Sequence, residues 1–359
     1  MNQKSKKKLL VCYTELLHYR IDIFNALADR YDLTVVHSGK NIMRSSSGFR
    51  EVILPARKIG RFIYQPGLWR LVRSGCFHSV VFFSDLAWMS IMLSFVFCPA
   101  SSRRITWGLW RTENRLANLA RYLIARSADA NIFYSKGAGD YFGRLGLSPE
   151  DIFIARNTFH VEVPERDEVA ERDCILFVGS FDARKKNDVT VLAFSNIARR
   201  ISWPVRLVFV GDGSDKGRIM QMAREQWCAD RIEFHTGTTD KAALRTYYSR
   251  AICSVSFGQA GLSVLQSFGH GVSFVTRRDA VSGGEIENII DGYNGVLCDE
   301  SQVSLEHAMT ALCADMSKAN ELGRNALIFY RQNASISAMV SGFVGAIEGG
   351  PPISTNTAA

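Results

Sequence analysis

One strand–loop–helix segment in the second half of the chain carries the residue types best suited to binding an anion. A predicted strand ends at Phe257, a loop containing Gly258 and Gly261 follows, and a helix is predicted from about Leu262 to Gly271. The first N–H groups of a helix have no partner within it, and glycines allow a ligand to approach the backbone closely. The spacing predicts a phosphate-binding turn, and an ordinary crossover between two strands is an equal alternative for this segment taken alone.

Four further motifs accompany this segment in the same half of the chain. They are Ile175-Leu176-Phe177-Val178-Gly179-Ser180 with Arg184-Lys185-Lys186-Asn187, then Val208-Phe209-Val210-Gly211-Asp212-Gly213, then Ile232-Glu233-Phe234-His235-Thr236-Gly237, and finally Gly283-Gly284-Glu285-Ile286-Glu287 with Asp291-Gly292-Tyr293-Asn294-Gly295. Together with Gly261-Leu262-Ser263 and Gly269-His270-Gly271, these ordered motifs resemble the donor-binding region of retaining GT-B glycosyltransferases of family 4. The resemblance implies a nucleotide-sugar site in the second half of the chain.

The resemblance also implies which residues form that site. Arg184 and Lys185 are expected to be catalytic, because they would neutralise the departing diphosphate; a solvated basic turn is the alternative. The other expected donor-binding residues are Gly179, Ser180, Lys186, Gly211, Gly237, Thr238, Gly258, Gln259, Ala260, Gly261, Leu262, Ser263 and Gln266. The donor is expected to be a UDP- or GDP-sugar. No cofactor or metal ion is expected, since the cations and backbone N–H groups would neutralise the phosphates.

The chain departs from the family pattern at three of these positions. The family has two glutamates eight residues apart, and Gly258 and Gln266 stand there in this sequence. An amide oxygen can still accept a hydrogen bond from a ribose hydroxyl, whereas glycine has no side chain to contact the donor sugar. Ser180 stands where the family often has arginine, and Arg184 is a candidate for the missing guanidinium.

Apolar runs alternating with helical periods predict an α/β protein of two doubly wound parallel sheets, and 359 residues are enough for two cores. The strands are expected near 9–13, 33–37, 80–83, 105–107, 130–133 and 152–154, and then near 174–178, 205–210, 231–235, 252–257, 272–276 and 295–298. The resemblance implies the GT-B fold, in which two Rossmann-like domains face each other across a cleft. We expect an acceptor-binding domain over 1–165, a nucleotide-sugar-binding domain over 166–333, a helix over 334–348 that crosses back to the first domain, and a disordered tail over 349–359.

Three residues of the first half are candidates for binding the acceptor. Tyr19 and Arg20 begin the first predicted helix, where a Tyr-Arg pair is frequent in the family, and Arg111 follows a strand. Trp107, in the same strand, could stack on a sugar or pack in the core.

The charge is divided unequally along the chain. Residues 1–156 carry 23 basic and 11 acidic side chains, a net charge of +12, whereas the remainder carries a net charge of −4. In the first half, Lys4, Lys6, Lys7 and Lys8 precede a basic stretch from Arg57 to Arg73 that is interleaved with aromatic residues. This pattern favours an anionic membrane surface as the partner over nucleic acid, because no compact nucleic-acid motif is present; a solvated basic face is the alternative.

Neither the cysteines nor the apolar segments indicate export, metal binding or a membrane span. The eight cysteines and seven histidines are scattered without metal-ligand spacing, which predicts buried free thiols in a reducing compartment. The longest apolar run, Leu86 to Cys98, is about 13 residues long, and a span needs about 20. The N-terminus is expected to form a first strand rather than a signal peptide, so we expect a cytoplasmic protein at the inner face of the plasma membrane.

The sequence thus predicts a retaining glycosyltransferase that moves a sugar from a nucleotide sugar to a lipid-linked or oligosaccharide acceptor, in bacterial surface polysaccharide biosynthesis. A GT-B sugar-nucleotide epimerase would need acid and base side chains that are not evident. A non-catalytic GT-B binding subunit would explain the absent glutamates. A nucleic-acid-binding protein would explain the basic half and not the donor motifs. The donor base and sugar, the acceptor, the linkage and the oligomeric state do not follow from the sequence.

Overall fold

The computed structural model describes residues 5–39, 48–112, 114–162 and 171–350. Lys4, residues 163–170 around the predicted domain boundary, and all but the start of the predicted tail therefore lie outside the described residues. The contacts divide the chain into two compact units, which meet in sequence at Asn157 and Thr158 and again at Ser335 and Ile336.

The first unit is built on a parallel sheet of seven strands in the order β3-β2-β1-β6-β7-β8-β9, with a separate antiparallel hairpin, β4–β5. Its strands are β1 (Lys8–Cys12), β2 (Asp32–His37), β3 (Arg50–Ile53), β4 (Arg57–Ile59), β5 (Phe62–Tyr64), β6 (Ser79–Phe83), β7 (Arg103–Leu109), β8 (Ala130–Phe133) and β9 (Ile152–Ile154). Its first five helices are α1 (His18–Ala28), α2 (Leu68–Ser74), α3 (Met89–Val96), α4 (Arg115–Arg126) and α5 (Lys136–Arg144).

The second unit is built on a parallel sheet of six strands in the order β12-β11-β10-β13-β14-β15. Its strands are β10 (Cys174–Val178), β11 (Arg206–Val210), β12 (Ile232–His235), β13 (Ala251–Val255), β14 (Phe274–Arg277) and β15 (Gly295–Cys298). Its helices are α6 (Asn187–Ile197), α7 (Lys216–Arg224), α8 (Lys241–Ser249), α9 (Ser263–Gly269), α10 (Gln302–Ala314) and α11 (Met316–Phe329). After α11 the chain returns to the first unit as α12 (Ile336–Glu348).

Helices cover both faces of each sheet, which explains why the strands are almost continuously apolar. In the first unit, α1 and α12 pack on one face, and α2 and α3 pack on the other together with Ile124 of α4. In the second unit, α6, α7 and α10 enclose one core, and α8 and α9 lie over the opposite face. The predicted α/β class with two Rossmann-like sheets is confirmed.

The core of the first unit is centred on Trp107, which is fully buried and lies between aromatic residues of both the sheet and α12. Its ring stacks on Tyr13 with the ring centroids 5.1 Å apart and meets Phe343 of α12 edge to face at 5.0 Å. Core packing, one of the two predicted roles for Trp107, is therefore the observed one. The C-terminal helix supplies an essential wall of this core, since Met339 and Phe343 are both fully buried there.

The cysteines agree with the prediction of buried free thiols, with one exception. All eight cysteines are unpaired, and seven of them are buried. Cys76 is the exposed one, and it follows α2 with a φ of 47°. Among the described residues, no helix is both long and apolar enough to cross a bilayer.

The role of α12 in the first core gives a stability prediction. Phe343→Ala should lower the free energy of unfolding of the first unit by about 3–5 kcal/mol, because the vacated space beside Trp107 cannot close fully. Ser341→Ala, at an exposed position on the same helix, should change it by less than about 0.5 kcal/mol. Urea titration followed by tryptophan fluorescence measures both, and equal midpoints for the two variants would contradict this account of the core.

Candidate functional site

The predicted donor residues gather where the sheet of the second unit ends. All six strands are parallel, so their carboxyl ends lie along one edge, and ligands of open α/β sheets bind at that edge. The loops that follow β10, β11, β12 and β13 carry the predicted residues. β10 pairs with both β11 and β13. The loop after β10, which contains Arg184 and Lys185, therefore lies between the loops after β11 and β13.

Glycines allow the backbones of the loops after β10 and β11 to contact each other directly. A Cβ atom on Gly211 would lie 1.8 Å from the carbonyl oxygen of Gly179, and one on Gly213 would lie 2.2 Å from that of Phe181. The amide of Phe181 donates to the carbonyl oxygen of Asp212 at 2.9 Å. Gly179 and Gly211 therefore let two backbones touch, and no residue with a side chain could replace Gly211 without moving one of the loops.

Gly258 joins the loop after β13 to the loop with the two predicted catalytic cations. A Cβ atom at this position would lie 2.1 Å from the carbonyl oxygen of Arg184. The Gly258 amide donates to the carbonyl oxygen of Lys185 at 3.0 Å, and its own carbonyl accepts from the amide of Val281 at 3.0 Å. A glutamate at position 258 would therefore require the backbone of one of these loops to move.

Arg184 is held in an exposed ion pair. Asp182 accepts hydrogen bonds from the Arg184 backbone amide and Nε at 2.9 Å, and from Nη2 at 2.7 Å. The hydrogen bonds from Arg184 lower the pKa of Asp182 to about 2. A guanidinium has five N–H donors, so the pair orients Arg184 and leaves donors for an anionic ligand.

Lys185, the next residue, is buried beneath this turn. Only 9% of its surface is exposed, and burial lowers its pKa, while Asp182 and Glu285 act in the opposite direction. Glu285 is itself buried, and its carboxylate accepts from the Gly283 amide at 2.9 Å. A buried cation that is only partly compensated binds an anion more strongly than a solvated one, because water competes less. Lys186 adopts the left-handed conformation at the start of α6, with a φ of 52°.

Sequence reasoning missed several charged groups along this edge. Lys216 donates from Nζ to the carbonyl oxygens of Gly211 and His235, at 2.7 and 3.1 Å, and to Asp212 at 2.9 Å. Asp212 also accepts from the amide of Gly237 at 2.7 Å, which ties the predicted residue Gly237 into the wall of the site. Lys216 lies in α7, outside any motif, so only the fold places it at this edge.

The start of α9 supplies backbone donors. Within the described part of the chain, no hydrogen bond engages the N–H groups of Gly261, Leu262 and Ser263, and nothing lies within 4 Å of the position of a Cβ on Gly261. The hydroxyl of Ser263 is buried and has no partner there. Successive free N–H groups suit an anion. The Ala260 amide is bonded to the carbonyl oxygen of Val281 at 2.9 Å, so Ala260 holds the loop instead.

Gln266, Gln259 and Thr238 have partners within the protein. Gln266 is 8% exposed, and its Oε1 accepts from the hydroxyl of Tyr248 at 3.4 Å. The Gln259 carbonyl oxygen accepts from Ser256, and the Thr238 hydroxyl accepts from the amide of Asp240 at 3.0 Å. Ser180 is exposed beside Gly179. The ligand roles of these residues stay predictions.

The structure gives Arg20 of the first unit an internal role. Only 2% of it is exposed, and it donates to the hydroxyls of Tyr13 and Tyr134 at 3.1 and 2.9 Å. Burial alone would lower its pKa, but the phenolic groups of Tyr134, Tyr13 and Tyr19 raise it. Arg20 is thus engaged within the first unit, and its expected contact with an acceptor stays a prediction. Tyr19 is half-buried over Arg20, and Arg111 is exposed beside Tyr141, so for these two acceptor binding stays a prediction.

Comparison with known proteins identifies this architecture. Residues 162–328 match the sequence model of the family described as glycosyl transferases group 1. The matched range covers nearly all of the second unit, including every loop described above. The second unit is therefore similar in sequence to the group 1 glycosyl transferases. No curated protein sequence matches the chain significantly.

Solved structures match over almost the full chain at low sequence identity. Anabaena HepE, solved with UDP and glucose, has a TM-score of 0.72 and 13% identity, covering 95% of this chain and 99% of its own. A glycosyltransferase from Rickettsia africae has a TM-score of 0.74 and 12% identity, covering 96% and 98%. The lipopolysaccharide outer core galactosyltransferase WaaB has a TM-score of 0.67 and 14% identity, covering 95% and 99%. The chain therefore has the GT-B fold.

The contact at Gly258 can be tested against a glycine three residues away. Gly258→Ala should destabilise the second unit by about 1–3 kcal/mol, because the new methyl group overlaps the Arg184 carbonyl oxygen. Gly261→Ala adds the same methyl group in open space and should cost less than about 0.5 kcal/mol. Differential scanning calorimetry compares the two, and equal melting temperatures would show that the two loops separate without cost.

Proposed function

We propose that the protein is a metal-independent retaining glycosyltransferase that moves a sugar from a UDP-sugar to a lipid-linked saccharide in surface polysaccharide biosynthesis. The proposal rests chiefly on Lys185, a buried cation held at the carboxyl edge of a group 1 glycosyl transferase sheet. The family match supports glycosyl transfer itself. Retention, the acceptor and the biological setting are the parts we propose.

The arrangement suits the departure of a nucleoside diphosphate. As the bond between the sugar and the diphosphate breaks, positive charge develops on the sugar ring and negative charge on the leaving phosphate. Lys185 and Arg184 stabilise that negative charge, and the N–H groups of Gly261, Leu262 and Ser263 add hydrogen bonds. One well-placed donor of this kind contributes about 3–4 kcal/mol to the transition state.

The choice of donor and acceptor is supported by the structural neighbours. HepE was solved with UDP and glucose, which favours a UDP-sugar as the donor. WaaB is a galactosyltransferase of the lipopolysaccharide outer core, which favours a saccharide carried on a lipid as the acceptor. NMR analysis of the product's anomeric carbon would test retention directly, because an inverted configuration would exclude it.

The steric conflict that a glutamate at position 258 would meet favours one second candidate, a non-catalytic subunit that binds a nucleotide sugar. Such a subunit would keep the phosphate ligands and lack the contact to the donor sugar. The two candidates differ in product formation. Incubation with UDP-glucose and a lipid-linked saccharide extract should yield UDP and a glycosylated lipid if the protein is an enzyme, whereas unchanged donor together with donor-dependent thermal stabilisation would favour the binding subunit.

The two cations give the sharpest test of the mechanism. Arg184→Ala and Lys185→Met should each lower turnover by about 100-fold or more, because each removes charge opposite the leaving phosphate. Lys185→Met should also raise the melting temperature, since it removes a buried cation whose pKa is lowered by burial. Lys318→Ala, a half-exposed cation on α11, is the control. Near-normal turnover in both site variants would exclude this mechanism.

The stability gain of Lys185→Met should depend on pH in a defined direction. A lysine with a lowered folded-state pKa destabilises the protein while the unfolded chain is protonated, and the penalty fades as the pH rises towards the ordinary lysine pKa. The difference in melting temperature between the variant and the wild type should therefore be largest at neutral pH and below, shrink as the pH rises through the lowered folded-state pKa, and be nearly gone above about pH 10. A difference that grows with pH would contradict the assigned burial.

Gln266 gives a prediction on donor affinity. If its amide oxygen leaves Tyr248 to accept from the ribose hydroxyls, Gln266→Leu should weaken UDP binding by about 1–3 kcal/mol, and Gln266→Glu should be tolerated. Isothermal titration with UDP measures both variants. Unchanged affinity in the leucine variant would limit Gln266 to its contact with Tyr248.

A further inference from the structure

We propose that the outer side of the α2–α3 layer in the first unit, together with hairpin β4–β5, docks on an anionic phospholipid membrane. The docking surface is defined by exposed apolar residues on these elements and by the cations beside them. It goes beyond the proposed transfer reaction, because it assigns a partner to a surface that the donor chemistry does not use.

The apolar part of the docking surface surrounds a groove. The groove has a volume of about 300 Å³ and is lined by Tyr64, Trp69, Arg73, Ser90, Leu93 and Phe97. The lining comes from β5, from α2 and from α3 with Phe97 directly after it, so three elements meet at the groove. Val96 and Phe97, at the end of α3, are 66% and 56% exposed. Contiguous exposed apolar surface on a folded protein marks a site of interaction.

The cations beside the groove indicate an anionic partner. Residues 52–112 contain eight arginines and lysines and a single acidic residue, Asp85. Five of these cations lie in the exposed stretch next to the groove: Arg57, Lys58, Arg61, Arg70 and Arg73. No ion pair joins any of the five to a carboxylate of the described residues. Unpaired cations around an apolar surface are complementary to lipid phosphates around acyl chains.

The contacts within the surface place charge and aromatic rings side by side. The guanidinium of Arg61 lies 4.9 Å from the ring centroid of Phe62, and that of Arg70 lies 5.5 Å from Trp69. Each pair presents an apolar ring and a cation at the same point of the surface. At the surface of a bilayer, the ring of such a pair can enter the boundary between headgroups and acyl chains, while the cation contacts a lipid phosphate.

The extent of the apolar surface favours a bilayer over a bound peptide. The same helical layer continues in α4, whose Ile124 packs inward against the core shared with α2 and α3. The outward residues Leu116, Leu119 and Leu123 of α4 are exposed, Leu116 by 78%. Arg115 and Arg126 stand at the two ends of this helix. A membrane can cover both apolar areas at once, whereas a peptide in the groove would leave the α4 leucines in water.

Two of the N-terminal lysines make contacts within the first unit. Lys6 donates from Nζ to the carbonyl oxygen of Ala28 at 2.8 Å, and Lys7 pairs with Glu348 of α12. These contacts engage both cations inside the first unit. The membrane surface is therefore centred on the stretch from Arg57 to Arg73 rather than on the N-terminus.

Sedimentation of the full chain with vesicles tests the proposal. The protein should bind vesicles of phosphatidylcholine with phosphatidylglycerol, bind vesicles of phosphatidylcholine alone much less, and dissociate as salt rises. Replacing Arg57, Lys58 and Arg61 by Gln should weaken binding by about 100-fold, at about fivefold for each cation. Replacing the exposed Arg199, Arg200 and Arg224 of the second unit by Gln removes the same charge and is the control.

The apolar contribution is tested by a variant that keeps the charge. Trp69→Ser with Phe97→Ser should lose most binding to the anionic vesicles, while Val303→Ser, at an exposed apolar position of α10, should not. UDP-dependent thermal stabilisation, unchanged in all variants, shows that folding and donor binding are intact. Equal vesicle binding by the charge variant and its control would overturn the proposal, as would binding to polyglutamate without binding to vesicles, which would indicate an acidic protein partner.

Discussion

The candidate site depends on one close approach of two backbones, at Gly258. The carbonyl oxygen of Arg184 occupies the space where a Cβ would lie, and the neighbouring hydrogen bonds to Lys185 and Val281 fix three loops to one another. Each loop follows a different strand of the sheet, so the contact joins the loops after three strands into one surface. The positions of both predicted catalytic cations follow from it, because they belong to the turn that Gly258 touches.

Burial then determines how these neighbouring cations differ. Arg184 is exposed and paired with Asp182, which fixes its direction at little cost in solvation. Lys185 is enclosed, and burial disfavours its charged form. Such a group lowers the stability of the protein without a ligand and, in the mechanism proposed above, strengthens the binding of the leaving phosphate. The site thus combines a solvated, oriented cation with a desolvated one.

The sequence predicted the repeating elements well, because strands buried on both faces leave continuous apolar runs. The thirteen strands of the two parallel sheets fall near predicted positions, with the exception of β3. β3 begins with two charged residues, lies at a sheet edge and is largely exposed, and hairpin β4–β5 is short and exposed, so neither has an apolar run to detect. The pattern gave no sign of either.

For the site, motifs located the loops and could not show what each residue contacts. Gly258 was expected to let a ligand approach the backbone and Gly211 to bind the donor; in the structure each lies against the backbone of another loop, and their ligand roles stay predictions. Arg20 was expected to bind the acceptor, and in the structure Tyr13, Trp107 and Tyr134 enclose it. Lys216 belongs to no motif, yet it joins the ends of two strands. These contacts link residues far apart in sequence, so only the folded chain reveals them.

The return of α12 to the first unit has a consequence for how the chain folds during synthesis. Trp107 and its neighbours acquire their last wall only from Met339 and Phe343, which the ribosome adds after the whole second unit. The second unit is contiguous and can fold as soon as it emerges. The first unit is synthesised first, but its aromatic core stays incomplete until α12 has been made. The second unit can therefore complete its fold before the first.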